Sequence, residues 1–266
     1  MKLALLGYGR MGREVERLAI AQGHEVGVRL DIDDNAAAAG ITAEAFASID
    51  AAIDFSVPAA VFDNIDRATY VGVPLVVGTT GWDDRLADVR RLVDERAAAV
   101  VYGANLSIGA NLFFRIVEHA ARLFDAVSEH ADYDPYVLEH HHRGKLDTPS
   151  GTALHLAGLV IVASSAKNTI QAGNPEASID VDALHVASLR AGAACGEHTV
   201  GFDGSADTVR LTHTARNREG FAAGALLAAR WIVGKKGCFE FSSVLDEILA
   251  RNGTPGKHSA PPEGGR

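Results

Sequence analysis

The sequence predicts an α/β fold: an N-terminal Rossmann-type, doubly wound parallel sheet with a second α+β domain built on a mixed sheet. Three observations carry this. Short apolar runs alternate with segments of helical periodicity through roughly the first hundred residues. A glycine-rich turn, Gly7–Gly12, directly follows the first apolar run. After Asn105 the texture changes, and segments that alternate in polarity appear.

Taken in order, residues 2–6 form a short apolar run ending at Gly7, the pattern of a parallel strand buried on both faces. Arg10–Ala21 places Met11, Val15, Leu18 and Ala19 at helical spacing. Val26–Leu30 and Ala51–Phe55 read as the second and third strands. Ser56 is placed to cap a helix starting near Pro58, a favoured position for proline. Val73–Val77 is a fourth strand, Asp83–Ala98 a helix with a charged face, and Ala99–Tyr102 a fifth strand. Strand–helix–strand units repeated in this way demand a parallel sheet. Beyond Asn105, a helix over Gly109–Phe124 leads into Tyr136–His140, a polar loop and a helix beginning at Gly151. His185–Arg190, Glu197–Phe202 and Thr208–His213 read as strands, the last two alternating like half-exposed ones. Phe221–Val233 and Ser242–Ala250 return to helix. The expected division is residues 1–107 plus about 222–251 as the domain that carries the glycine-rich turn, 108–221 as the second domain, and 252–266 as a linker-like tail.

A chain of 266 residues buries roughly three quarters of its unfolded surface, so a real core is expected. The formal net charge of −9 argues against general affinity for nucleic acid or anionic membranes, and an acidic ligand would need a local basic cluster. Cys195 and Cys238 form no CxxC pair and read as small apolar fillers in a reducing compartment. The opening apolar run is too short for a signal-peptide core. The uncharged stretch 151–166 falls short of the ~20 residues of a membrane span. A soluble, cytoplasmic protein is expected.

Gly7-Tyr8-Gly9-Arg10-Met11-Gly12 is a GxGxxG fingerprint in its required context, after a strand and opening a helix. Gly7 permits the tight turn, Gly9 lets backbone approach a pyrophosphate, and Gly12 allows helix and sheet to pack closely. Asp31, 19 residues beyond Gly12, is placed to accept hydrogen bonds from the adenosine ribose. Gly78-Thr79-Thr80-Gly81 and Gly103-Ala104-Asn105-Leu106-Ser107 follow the fourth and fifth strands, at the sheet edge where ligands of open α/β sheets bind. Gly78, Thr79, Thr80, Ala104, Asn105, Leu106 and Ser107 are therefore further cofactor candidates, although either loop read alone also suits an ordinary turn.

The densest chemistry lies in Glu139-His140-His141-His142-Arg143-Gly144-Lys145-Leu146-Asp147-Thr148-Pro149-Ser150-Gly151-Thr152. A helix starting at Pro149-Ser150-Gly151-Thr152 offers N–H donors to a carboxylate, and Lys145 can add a point charge. This is the basic cluster that the acidic net charge requires. Consecutive strand residues face opposite ways, so of the three histidines only His140 and His142 can share a metal. Without a nearby cysteine, and with no ligand spacing from Glu139 or Asp147, no metal site is expected.

The motifs now assembled resemble those of the 4-hydroxy-tetrahydrodipicolinate reductase family, formerly called dihydrodipicolinate reductase. The matching segments are Gly9–Gly12, Gly78–Gly81, Ala104–Asn111 and Glu139–Ala153. Ser188-Leu189-Arg190-Ala191-Gly192, Gly196–Thr199 and Phe221–Ala225 follow in the family's order, to about residue 245. The resemblance implies His141 as proton donor/acceptor, Lys145 as second proton donor, and His142, Gly151 and Thr152 as substrate-binding positions. It implies reduction of 4-hydroxy-tetrahydrodipicolinate, a small cyclic dicarboxylate, by NADH or NADPH on the route to diaminopimelate and lysine, by a homotetramer. Asp31 has Ile32 as neighbour where many members carry an arginine, so NADH is expected to serve at least as well as NADPH. The 128–135 loop is longer than expected for the family and 166–183 shorter. An aspartate-semialdehyde dehydrogenase would need a thiolate nucleophile, and neither cysteine has a base evidently placed beside it. A non-catalytic dinucleotide sensor would leave the histidine–lysine block unexplained.

Overall fold

The computed structural model describes residues 1–252 apart from Glu176, so the tail from residue 253 lies outside it. The elements in chain order are β1 (Lys2–Leu6), α1 (Arg10–Ala21), β2 (Glu25–Leu30), β3 (Ala51–Asp54), α2 (Pro58–Tyr70), β4 (Leu75–Val77), α3 (Leu86–Glu95) and β5 (Ala99–Tyr102). There follow α4 (Ile108–Ala126), β6 (Asp134–His141), α5 (Gly151–Ala163), β7 (Thr169–Ala172), β8 (Ala183–Arg190), β9 (Gly196–Asp203) and β10 (Thr208–Ala215). The last are α6 (Glu219–Ile232), β11 (Gly237–Glu240) and α7 (Phe241–Asn252). The chain divides into two compact units: Met1–Ala104 with the chain from Ala225, and Asn105–Gly224.

The first unit is built on a six-stranded sheet of order β11-β5-β4-β3-β1-β2, parallel throughout. Leu3, Leu5 and Leu6 of β1 are sealed from solvent on either side of the pleat, which is why the strand reads as a continuous apolar run. Three elements differ from expectation. β4 starts at Leu75, because Pro74 has no N–H and the Val73 amide instead bonds to Ala68 O. The first turn of the Asp83–Ala98 segment is 3₁₀ (Asp83–Arg85) before α3 begins. Val57, not Ser56, caps α2, and the Ser56 hydroxyl is drawn to Asp54.

The second unit carries a five-stranded sheet of order β10-β9-β6-β8-β7, mixed because β6 runs parallel to β8 and antiparallel to β9. α4 and α5 pack on each other, and Phe113, Val117, Leu156, Val160, Leu184 and Phe202 form a core with them. β9 does not alternate in burial as its sequence suggested: it lies inside the sheet, and the Tyr136 ring sits where a side chain at Gly201 would be. The sequence predicts neither β7 here nor β11 at the edge of the first unit's sheet. Each is four residues long, and β7 is exposed along its length, so neither shows apolar periodicity. Among the described residues no helix is long and apolar enough to cross a membrane.

Candidate active site

β1 delivers the chain to Gly7, where φ is +85° and an added Cβ would stand 2.3 Å from Phe55 O, so only glycine fits. A Cβ at Gly12 would lie 2.2 Å from Gly7 O, which lets α1 start hard against the turn. Gly9 differs: a Cβ there would meet nothing within 4 Å, leaving an open approach to the backbone. Gly9 caps α1 without any side-chain hydrogen bond, so the first N–H groups of the helix are not taken by a cap.

Gly7, Gly9, Asp31, Phe55 and Ser56 line a cavity of about 400 Å³ at the carboxyl ends of β1, β2 and β3, where the strand order reverses. Among the described residues its lining includes Asp31 and Asp63 but no Lys or Arg. Arg29, a conceivable phosphate partner, is paired with Glu16, which also accepts the Tyr8 hydroxyl. Arg10 is exposed and Met11 half-buried at the start of α1. The open backbone at Gly9 and the cavity beside it fit the adenosine half of a nicotinamide dinucleotide.

Asp54, fully buried at the end of β3, ties this cradle together. Its Oδ1 accepts from Ser56 N (2.8 Å), Ser56 Oγ (2.7 Å) and Thr79 Oγ1 (2.7 Å), and its Oδ2 accepts from Asn64 Nδ2 (2.8 Å). Asn64 Oδ1 in turn accepts from Asn35 Nδ2 at 2.7 Å. Burial pushes the Asp54 carboxyl above its ordinary value while these neutral donors oppose the shift. In the Gly78–Gly81 loop, Thr79 is thus a structural tie and Thr80 is exposed, while Gly78 makes room for the Phe55 ring. Ala104 is exposed, but the next three residues build the entry to α4. Asn105 Oδ1 accepts the Ser107 amide (2.9 Å), Leu106 is buried, and Ser107 caps the helix through Ala110 N (3.3 Å).

In the second unit, β6 turns Glu139 and His141 to one face and His140 to the other, where His140 Nε2 lies 3.1 Å from Ala191 O. Glu139 is fully buried, and its Oε1 accepts from Ser150 N (3.0 Å), Ser188 Oγ (2.6 Å) and Arg190 Nη2 (2.7 Å). Burial pushes this carboxyl up, but those bonds outweigh it and hold the pKa at about 2. Its Oε2 lies 3.2 Å from His141 Nδ1 and 3.8 Å from His198 Nε2, with the two imidazole rings edge to face at 5.1 Å. Burial lowers the His141 pKa, Glu139 opposes that, and Lys145 and Arg190 reinforce it. His198 is pushed down to about 4, first by burial and then by His141. As a neutral ring it can take the hydrogen of Ser150 Oγ, 3.2 Å from its Nε2.

Ser150 caps α5 through Ala153 N at 3.2 Å. Gly151 is exposed with nothing within 4 Å of an added Cβ, and Thr152 is half-buried beside it, so the start of α5 is uncrowded. Lys145 Nζ binds both Asp147 oxygens (2.7 and 2.8 Å), and its backbone N–H bonds to His142 O. His142 is half-buried just past β6, held by its amide on Ala194 O. Arg190 Nη2 bridges Glu139 and Asp147 O, stitching the lysine loop to the histidine cluster.

Residues 1–106 match the family described as dihydrodipicolinate reductase, N-terminus, and residues 109–245 match its C-terminus counterpart. The chain belongs to the dihydrodipicolinate reductase family. A 4-hydroxy-tetrahydrodipicolinate reductase of Christiangramia forsetii is 36% identical, over 94% of this chain and 99% of the relative. That of Archaeoglobus fulgidus is 35% identical, over 92% of this chain and 100% of the relative. The fold is also that of a solved structure, dipicolinate-bound dihydrodipicolinate reductase from Paenisporosarcina sp. TG-14. The TM-score is 0.73 at 23% identity, with 92% of this chain and 99% of that one covered.

Within this dihydrodipicolinate reductase chain, several residues that reading the sequence left without a role prove central: Asp54, Asn64, Glu139, Ser188, Arg190 and His198. Residues two apart on a strand share a face, so the sequence itself places Glu139 beside His141. The structure corrects the expected pairing of His140 with His142: His140 faces Ala191, and it is Glu139, His141 and His198 whose ligand atoms lie within 4.8 Å of one another. The Arg190 guanidinium already supplies the positive charge that this carboxylate needs, which weighs against a metal ion there. Cys195 is exposed, with its thiol 3.5 Å from Arg216 O, and so is not a filler.

Proposed function

We propose that this chain reduces 4-hydroxy-tetrahydrodipicolinate to tetrahydrodipicolinate with a nicotinamide dinucleotide, on the route to diaminopimelate and lysine. The observation that carries the reading is the cluster in which the Glu139 carboxylate meets buried His141 and the Ser150 amide at the start of α5, while Lys145, paired with Asp147, acts on the same imidazole. Gly7–Gly12 and Asp31 would hold the dinucleotide, which supplies the hydride when bound. The ring hydroxyl leaves as water, hydride would add at the carbon it vacates, and His141 delivers a proton to the neighbouring ring carbon that becomes electron-rich, with Lys145 as second donor. The two substrate carboxylates are received by Lys145 and by the N–H groups at Gly151 and Thr152, beside His142. The arriving negative charges favour protonated His141, offsetting the burial that keeps the free side chain neutral.

The experiment is a coupled assay with pyruvate, aspartate semialdehyde and the preceding synthase, following NADH absorbance. A fall that requires all components is expected, and none would overturn the assignment. The cation-free lining beside Asp31 supports NADH use at least equal to NADPH, and a kcat/KM for NADPH more than about tenfold the higher would oppose this. The half-exposed face of β10 supports a homotetramer assembled through the mixed sheets, so a monomer in light scattering would refute that assembly.

A further inference from the structure

We infer that Glu139 is a positioning residue for the proton donor: its Oε2 holds His141 by Nδ1–H and so leaves Nε2 to carry the transferred proton. This rests on the role proposed for His141.

Two buried polar atoms, Glu139 Oε2 and His141 Nδ1, have no hydrogen-bond partner and lie 3.2 Å apart. One is an acceptor and the other can be a donor, so a small ring rotation satisfies both. The carboxylate cannot swing away to be satisfied elsewhere, because two donors from β8 and one from Ser150, which caps α5, fix its Oε1. The far edge of the imidazole is kept clear by glycine: an added Cβ at Gly196 would stand 2.9 Å from His141 Nε2. Since Ser150 N binds the same carboxylate, one side chain sets both the proton donor and the helix start offered to the substrate anion.

The charged groups acting on His141 come from every neighbouring element. Glu139 on β6 and Asp147 in the loop favour the imidazolium, whereas Arg190 on β8 and Lys145 in the loop oppose it. His198 on β9, with His213 on β10 behind it, is kept uncharged by burial. Removing the Glu139 charge therefore lowers the pH at which His141 gives up its proton. A donor must be protonated, so the alkaline loss of activity moves to lower pH with it.

The test combines Glu139→Gln with His141→Gln, singly and together, using pH–rate profiles and ¹⁵N NMR of histidine-labelled protein. In the wild type, neutral His141 should carry its hydrogen on Nδ1. In Glu139→Gln this tautomer should lose its dominance, the His141 titration and the alkaline limb should shift to lower pH, and kcat should fall at least about tenfold. Added to His141→Gln, the second change should lower kcat less than about twofold, because that effect acts through the missing imidazole, whereas any loss through the α5 start is read in KM. Glu139→Asp, which keeps the charge but withdraws it, should show smaller shifts in the same direction and serves if Glu139→Gln does not fold. An unmoved tautomer and titration, or a full additional loss in the double variant, would overturn the inference. If His141→Gln keeps wild-type turnover, the role of His141 itself is wrong, and that outcome is distinct.

Discussion

Among the described residues, each unit of this reductase buries one carboxylate towards the carboxyl end of a strand, and the two are treated in opposite ways. Asp54 is surrounded by four neutral hydrogen bonds and no cation, and burial raises its pKa. Glu139 has a guanidinium at 2.7 Å, and its pKa is held at about 2. The difference follows from what each must hold. A cradle for a dinucleotide has to order hydroxyls and amides without placing extra charge near phosphates, and neutral donors do that. A carboxylate facing an imidazole must stay ionised when protons move beside it, and an arginine secures that. Asp54 thus shapes a binding surface, whereas Glu139 sets a titration.

The largest effect should come from breaking the charged pair. Arg190→Ala leaves Glu139 buried without its cation and should cost about 3–5 kcal/mol of stability, read by urea denaturation. A loss under about 1 kcal/mol would mean that Ser188 and Ser150 satisfy the carboxylate alone.

A slightly smaller effect sharpens the same contrast through pH. His198 is held neutral, with its pKa depressed from 6.5 to about 4. Between those values the unfolded chain binds more protons than the folded one, so stability falls as pH drops through that window. The full loss is about 3 kcal/mol, at roughly 1.4 kcal/mol per pKa unit. His198→Gln should flatten the stability–pH curve over that range, and an unchanged slope would show that His198 does not carry it.

Much of this was legible in the sequence, and the gaps have physical causes. β1 and the glycines after it could be read because a fully buried strand and a turn with φ of +85° leave few residue choices. The block from His141 to Thr152 could be read because charges and a helix start crowd into one short segment. Arg190 and His198 could not be joined to it, since they reach Glu139 from β8 and β9, 51 and 59 positions along the chain. Asp54 looked like an ordinary strand end, because its partners Asn64 and Thr79 come from α2 and the loop after β4. β7 went unseen because an exposed edge strand of four residues needs no apolar pattern.

The separation of tasks between the two carboxylates is tested most directly by one titration, NADH binding followed by fluorescence in Asp54→Asn and Glu139→Gln. Asp54→Asn puts an amide donor where only acceptors fit, loosens Thr79 and Asn64, and should weaken NADH by about tenfold, the equivalent of roughly 1.4 kcal/mol. Glu139→Gln should bind NADH as the wild type does, even though its turnover is reduced. An Asp54→Asn protein with unaltered affinity, or a Glu139→Gln protein that loses NADH to the same degree, would contradict the account.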